Sequence, residues 1–153
     1  MVAGTPFASV DKASIAFADI DGDNDQDVLI SGRGNMGYIS KLYTNNGSGS
    51  FTEVIGTPFV AVTQSSIAFA DVDGDNDQDV IITGQNSSFS QIAKLYTNDG
   101  KGVFTEETGT PFTGVKEGAI AFADVDGDSD QGLIITGSAT SGEVSNLYIN
   151  NGS

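Results

Sequence analysis

Residues 4–7, 56–59 and 109–112 all read Gly-Thr-Pro-Phe, and this recurrence constrains the chain more than any other feature. Two further anchors keep the same step. Ile-Ala-Phe-Ala-Asp occupies 15–19, 67–71 and 120–124, and Leu-Tyr-x-Asn occupies 42–45, 95–98 and 147–150. Gly4 to Gly56 is 52 residues and Gly56 to Gly109 is 53, the extra residue falling between Gly84 and Lys94. Such a period predicts one supersecondary unit used three times, at about 4–55, 56–108 and 109–153, within a single domain of 1–153.

Each unit reads as four short strands. Residues 14–18 alternate Ile15 and Phe17 with Ala16 and Ala18, the period of two that marks a strand. Val28-Leu29-Ile30 and its counterparts at 80–82 and 133–135 are short continuous apolar runs, suited to a strand covered on both faces. Residues 41–44 and their counterparts close on Asn-Asn-Gly or Asn-Asp-Gly, a strong turn signal. Residues 51–54 and 103–107 supply a fourth strand, and no stretch has helical period or length. The expectation is an all-β chain of three four-stranded antiparallel β-propeller blades. A β-solenoid is the competitor, but its coils are shorter and reverse less often. Alanines at 16, 18, 68, 70, 121 and 123 suit a strand crowded against a central axis.

Charge supplies the second constraint. Of 21 acidic residues, five lie within 19–27, five within 71–79 and four within 124–130; the remaining seven nearly balance the six Lys and Arg. The net charge of −15 is thus concentrated in three spots. Phosphate recognition needs clustered Lys and Arg, so nucleic acid and anionic membrane are disfavoured as partners and cations are favoured. With no Cys and no His, the chain has no disulfide, no thiol nucleophile and no imidazole ligand. No apolar run is long enough to span a membrane, and residues 1–7 carry no signal-peptide pattern.

Five carboxylates within nine residues repel one another; each pair at about 4–6 Å costs on the order of 1–4 kcal/mol. A cation relieves this. All-oxygen donors point to calcium, which takes six to eight oxygens in variable geometry. In the first loop the expected ligands are side-chain oxygens of Asp19, Asp21, Asp23 and Asp27, with a backbone carbonyl near Asp25. The second loop offers Asp71, Asp73, Asp75, Asp77 and Asp79. The third offers Asp124, Asp126, Asp128 and Asp130 but has Gly132 at the ninth position, which predicts two stronger sites and one weaker. An EF-hand is excluded, because its Gly at position 6 is Asn24, Asn76 or Ser129 here and its Glu at position 12 is an Ile. Gly at position 4 lets the backbone wrap an ion.

The aspartate loop between two strands, then Leu-Tyr-x-Asn, then Gly-x-x-x-Phe at 47–51 and 100–104, resembles the FG-GAP/VCBS repeat family. The bacterial VCBS version is closest. Ser31-Gly32-Arg33, Thr83-Gly84-Gln85 and Thr136-Gly137-Ser138 stand where the integrin type has Gly-Ala-Pro. The resemblance implies calcium-bearing propeller blades, a mainly structural role for calcium, and an extracellular or cell-surface location.

Three blades fall short of the about four to eight that close a propeller. The chain stops before a third Phe-Thr-Glu strand, and residues 2–10 align with 54–62. This phase suggests a homodimer of six blades in which each N-terminus completes its partner's last blade. Catalysis has no obvious base once the aspartates hold metal, so a scaffold or interaction module is expected rather than an enzyme. The loops at 32–40, 84–92 and 137–145 differ most between units. Tyr38 and Phe89 in them offer rings for stacking on sugars, which makes a lectin-like propeller the first alternative. A non-catalytic fragment of a secreted polysaccharide-active protein is the second.

Overall fold

The computed structural model describes residues 5–152 and contains eleven strands and no helix. The first unit comprises β1 (Asp11–Ala18), β2 (Asp27–Gly34), β3 (Gly37–Asn45) and β4 (Phe51–Glu53). The second comprises β5 (Val62–Ala70), β6 (Asp79–Asn86), β7 (Gln91–Asn98) and β8 (Phe104–Glu107). The third has β9 (Lys116–Ala123), β10 (Gly132–Ala139) and β11 (Gly142–Tyr148). Within each unit every strand pairs antiparallel with the next. The third unit therefore shows three strands rather than the expected four, since the counterpart of β4 and β8 would come after the described residues. A single bridge, Ile39 with Val62, joins the first unit to the second, and its repeat, Ile92 with Val115, joins the second to the third. Among the described residues no sheet closes on itself.

The first strand of each unit carries a bulge that the sequence pattern does not announce. Lys12, Gln64 and Glu117 adopt left-handed backbone at φ of 47°, 52° and 53°. Pairing slips there, between Asp11 and Ser14 and between Thr63 and Ser66. Opposite lie Gly32, Gly84 and Gly137. A Cβ on Gly84 would stand 2.9 Å from the Thr63 carbonyl oxygen and 3.0 Å from the Val62 Cβ, so the bulged strand can approach only a glycine.

Two of the repeated anchors build one recurring contact. Phe7, Phe59 and Phe112, from Gly-Thr-Pro-Phe, meet Tyr43, Tyr96 and Tyr148 edge to face at centroid distances of 5.2, 5.0 and 5.1 Å. Each tyrosine hydroxyl then accepts the N–H of the next residue, from Ala8, Val60 and Thr113. The chain leading into a unit is thereby pinned to that unit's own third strand. Residues 5–10 accordingly pack on the first unit of their own chain, with Phe7 also against Phe51. Residues 1–4, to which the expectation of strand completion by the N-terminus partly falls, lie outside the described residues.

Successive units stack face to face. Leu29 and Leu42 of the first unit bury against Val80, Ile82 and Tyr96 of the second. Ile81 and Leu95, on the opposite face of the second, bury against Leu133 and Ile135 of the third. β1, β5 and β9 run alongside one another, with Ser14 Oγ accepting from the Ile67 N–H at 3.1 Å and Ser31 bonded to Ser65 at 2.7 Å. Ala16 and Ala18 lie in this contact, as a crowded inner strand requires.

Gly84→Ala should cost about 2 kcal/mol or more, because its Cβ collides with main chain. Gly56→Ala, at a left-handed φ of 84° but with open space around it, should cost only the backbone term of about 1–2 kcal/mol. Urea denaturation of the two variants measures the difference, and equal losses would mean that close approach is not what demands Gly84.

Candidate metal centre

Each aspartate loop follows the first strand of its unit and leads into the second. Gly22, Gly74 and Gly127, at position 4, have φ of 76°, 79° and 84°, and Asn24, Asn76 and Ser129, at position 6, have 69°, 72° and 81°. Two left-handed residues so close together coil the loop tightly. The first aspartate holds that coil: Asp19 accepts the N–H of Gly22 and of Asn24, both at 2.9 Å. Asp71 and Asp124 do the same for Gly74 and Asn76, and for Gly127 and Ser129.

Three carboxylates converge in each loop. One oxygen from each of Asp19, Asp21 and Asp27 lies within 4.8 Å of the others, and the same holds for Asp71, Asp73 and Asp79 and for Asp124, Asp126 and Asp128. Calcium–oxygen distances of about 2.3–2.6 Å place two ligands of one ion up to about 5 Å apart, so these oxygens fit around a shared cation. The set suits a hard divalent ion and nothing that requires nitrogen or sulfur.

The other predicted ligands stand differently. Asp23 and Asp75 lie outside the converging groups, and each accepts the N–H of the residue two further on, Asp25 and Asp77, at 2.9 Å. Asp128 takes over the third position in its loop, where no ninth carboxylate exists. Asp25, Asp77 and Asp130 direct their carboxylates to a turn: they are the atoms nearest to where a Cβ on Gly47, Gly100 or Gly152 would stand. Their side chains thus pack against the Asn-x-Gly segment that follows the third strand, and they account for its glycine.

The ninth-position carboxylates carry a second duty. Asp27 and Asp79 are buried, and each accepts two backbone N–H groups. Asp27 takes those of Ile20 at 3.2 Å and Asn45 at 2.7 Å; Asp79 takes those of Val72 and Asn98, both at 2.9 Å. They clip the loop to the end of the third strand. Burial pushes the Asp79 carboxyl up to about 6 against the pull of those N–H donors, with the charges of Asp73 and Asp75 adding to the rise. Asp27 is raised for the same reason. Asp21, Asp73 and Asp126 are raised by burial and then by the adjacent Asp23, Asp75 and Asp128.

The asparagine of Leu-Tyr-x-Asn is the residue that sequence reasoning missed. Asn98 donates its Nδ2 to the Ile20 carbonyl at 2.8 Å, and Asn150 donates to the Val72 carbonyl at 2.8 Å. Each therefore ties its own unit to the aspartate loop of the unit before. Its recurrence at a constant offset was the available signal.

Of the two aromatic candidates, Tyr38 is half-buried beside Ala8, Ser9 and Met36 in a shallow cleft, while Phe89 stands 73% exposed at the β6–β7 turn. The extra residue of the second unit lies in this turn, where Asn86 Oδ1 accepts the N–H of Ser88 and of Ser90, each at 3.0 Å. None of the main clefts among the described residues contains both rings. No helix there is long and apolar enough to cross a membrane.

The FG-GAP-like repeat model matches the chain twice, over residues 19–82 and 71–135. Each match begins on the first aspartate of a loop and ends in the second strand of the following unit, so loop, strands and junction are spanned together. No curated protein and no solved structure matches the chain. With matches running from Asp19 to Ile135, across all three aspartate loops, the chain belongs to the FG-GAP-like repeat family.

Proposed function

We propose that the three loops bind calcium, and that the ion holds each unit as a blade of a β-propeller-like scaffold or interaction module acting outside the cell. The convergence of three carboxylate oxygens within 4.8 Å at the same place in every unit carries this reading. Membership of the FG-GAP-like repeat family supports the scaffold role and an exported setting, where millimolar calcium fills even modest sites. Such a module is non-catalytic: its carboxylates are committed to metal and to backbone N–H groups, and none is left as a positioned acid–base pair. Bound calcium acts on the fold by neutralising the loop that Asp27 or Asp79 clips to the third strand. The third loop, with Gly132 in place of that carboxylate, binds more weakly. Exposed Phe89 favours sugar stacking as a second reading, which a glycan array compared with Phe89→Ala tests directly.

Calorimetric titration should find two stronger calcium sites and one weaker per chain, and Asp71→Asn should weaken one of the stronger pair by at least tenfold. Three equal sites would contradict the role given to Asp27 and Asp79.

The pH dependence follows from the raised carboxyls. A folded-state pKa of about 6 for Asp79, against an ordinary 3.8, means that the folded chain holds more protons than the unfolded one in that window. Metal-free stability should therefore fall as pH rises from about 4 to 6. Calcium binds the ionised form, so its stabilisation should grow over the same range. Melting temperatures at pH 4.5 and 7, with calcium and with chelator, test both signs; a chelated protein that gains stability on going to pH 7 would refute the account.

A further inference from the structure

The two end faces of the stack are the unmatched halves of a junction that the chain already makes twice. We propose that a second copy of this chain docks there head to tail, the third unit of one copy covering the first unit of the other. This inference does not depend on the calcium reading.

On the first unit's outer face Val28 and Ile30 are covered by Phe7, Val10 and Phe51 of the same chain, but other positions change exposure with the presence of a neighbouring unit. Ile67 is 8% exposed under the first unit, whereas its counterpart Ile15 is 57% exposed, as is the adjacent Phe17. Ile81 and Leu95 are buried beneath the third unit, whereas Ile134 and Leu147 are 42% and 55% exposed. Val125 is likewise exposed where Ile20 is buried. One end thus presents the isoleucine–phenylalanine face and the other presents the face that covers it at both internal junctions. These exposed apolar side chains, flanked by exposed Ser145 and Glu143 on β11, are continuous with an interface whose packing is already formed within the chain.

The polar part of the junction is divided in the same way. Asn98 and Asn150 donate to the carbonyls of Ile20 and Val72 in the preceding unit. Asn45, their counterpart in the first unit, faces no aspartate loop among the described residues, and its Oδ1 accepts the Gly49 N–H. Val125 is the counterpart of Ile20 and Val72, and no asparagine of the described residues donates to it. In a head-to-tail contact Asn45 of one copy faces the Val125 carbonyl of the other. A self-complementary patch on one face would bury only one end of each chain. A heterologous contact buries both ends, and it closes on two chains when the rotation between units brings the free ends together.

Light scattering at tens of micromolar, in calcium, should give the mass of two chains or more. Phe17→Asp and Leu147→Asp should each give the monomer mass, and their equimolar mixture should associate again, because each retains the end that the other has lost. Both side chains are more than half exposed, so the monomer fold is preserved; Ile15→Ser and Ile134→Ser repeat the experiment with smaller changes. A monomeric parent chain would assign these faces to another occupant, such as further repeats of a longer polypeptide, and overturn the proposal. So would a Leu147→Asp protein that still pairs, which would indicate contact between two first units.

Discussion

A four-stranded antiparallel sheet has two faces, and in this chain both are apolar through the middle of every unit. The run Val80-Ile81-Ile82 sends alternate side chains to opposite sides, Val80 and Ile82 toward the first unit and Ile81 toward the third. One unit hides only part of both faces by itself: in the first, Phe7, Val10 and Phe51 cover Val28 and Ile30, while Ile15 and Phe17 stay in water. Burying an isoleucine contributes about 1.5–3 kcal/mol, so each uncovered face forgoes several kcal/mol. Face-to-face stacking is what converts a marginal hairpin pair into a stable element, and the inner-strand contacts and asparagine links are additions to it.

Stacking also locates the aspartate loops. Each leaves the first strand of its unit, and the first two are gripped from two sides, by their own ninth-position carboxylate and by an asparagine of the next unit. A Cβ on Gly102 would lie 3.3 Å from the Ile20 Cδ1, which shows how closely the first loop sits on the β7–β8 turn. The carboxylates are consequently held together by the scaffold whether or not a cation is present. The carboxyls of Asp21, Asp27, Asp73, Asp79 and Asp126 are raised first by burial and then by neighbouring carboxylates. A cation bound there, as proposed, would turn the same confinement into cohesion between units as well as within one.

The repeat was fully legible in the sequence, as were the all-β character, the tight loop with glycine at position 4 and the family. Periodicity and turn chemistry are local, and three copies multiplied each local signal. The division of labour among the aspartates was not legible. Alternation within 19–27 makes Asp23, Asp25 and Asp27 look alike, yet Asp25 packs on a distant turn and Asp27 is buried against β3. These fates depend on which backbone groups come near after folding. Nor did the pattern reveal the bulges at Lys12, Gln64 and Glu117: nothing in those side chains favours a left-handed backbone, and their partner glycines lie about 20 residues further on.

By itself the sequence determined the unit, its strands and the concentration of negative charge, because these follow from residue spacing along a single strand or loop. Only the tertiary structure decided which carboxylates meet, which asparagine reaches the neighbouring loop and which apolar side chains stay in water. Those outcomes belong to surfaces made by two units together. Ile81 and Ile134 occupy the same place in identical local sequence, Leu/Val-Ile-Ile-Thr-Gly; one is sealed and the other open solely because of what lies across from it.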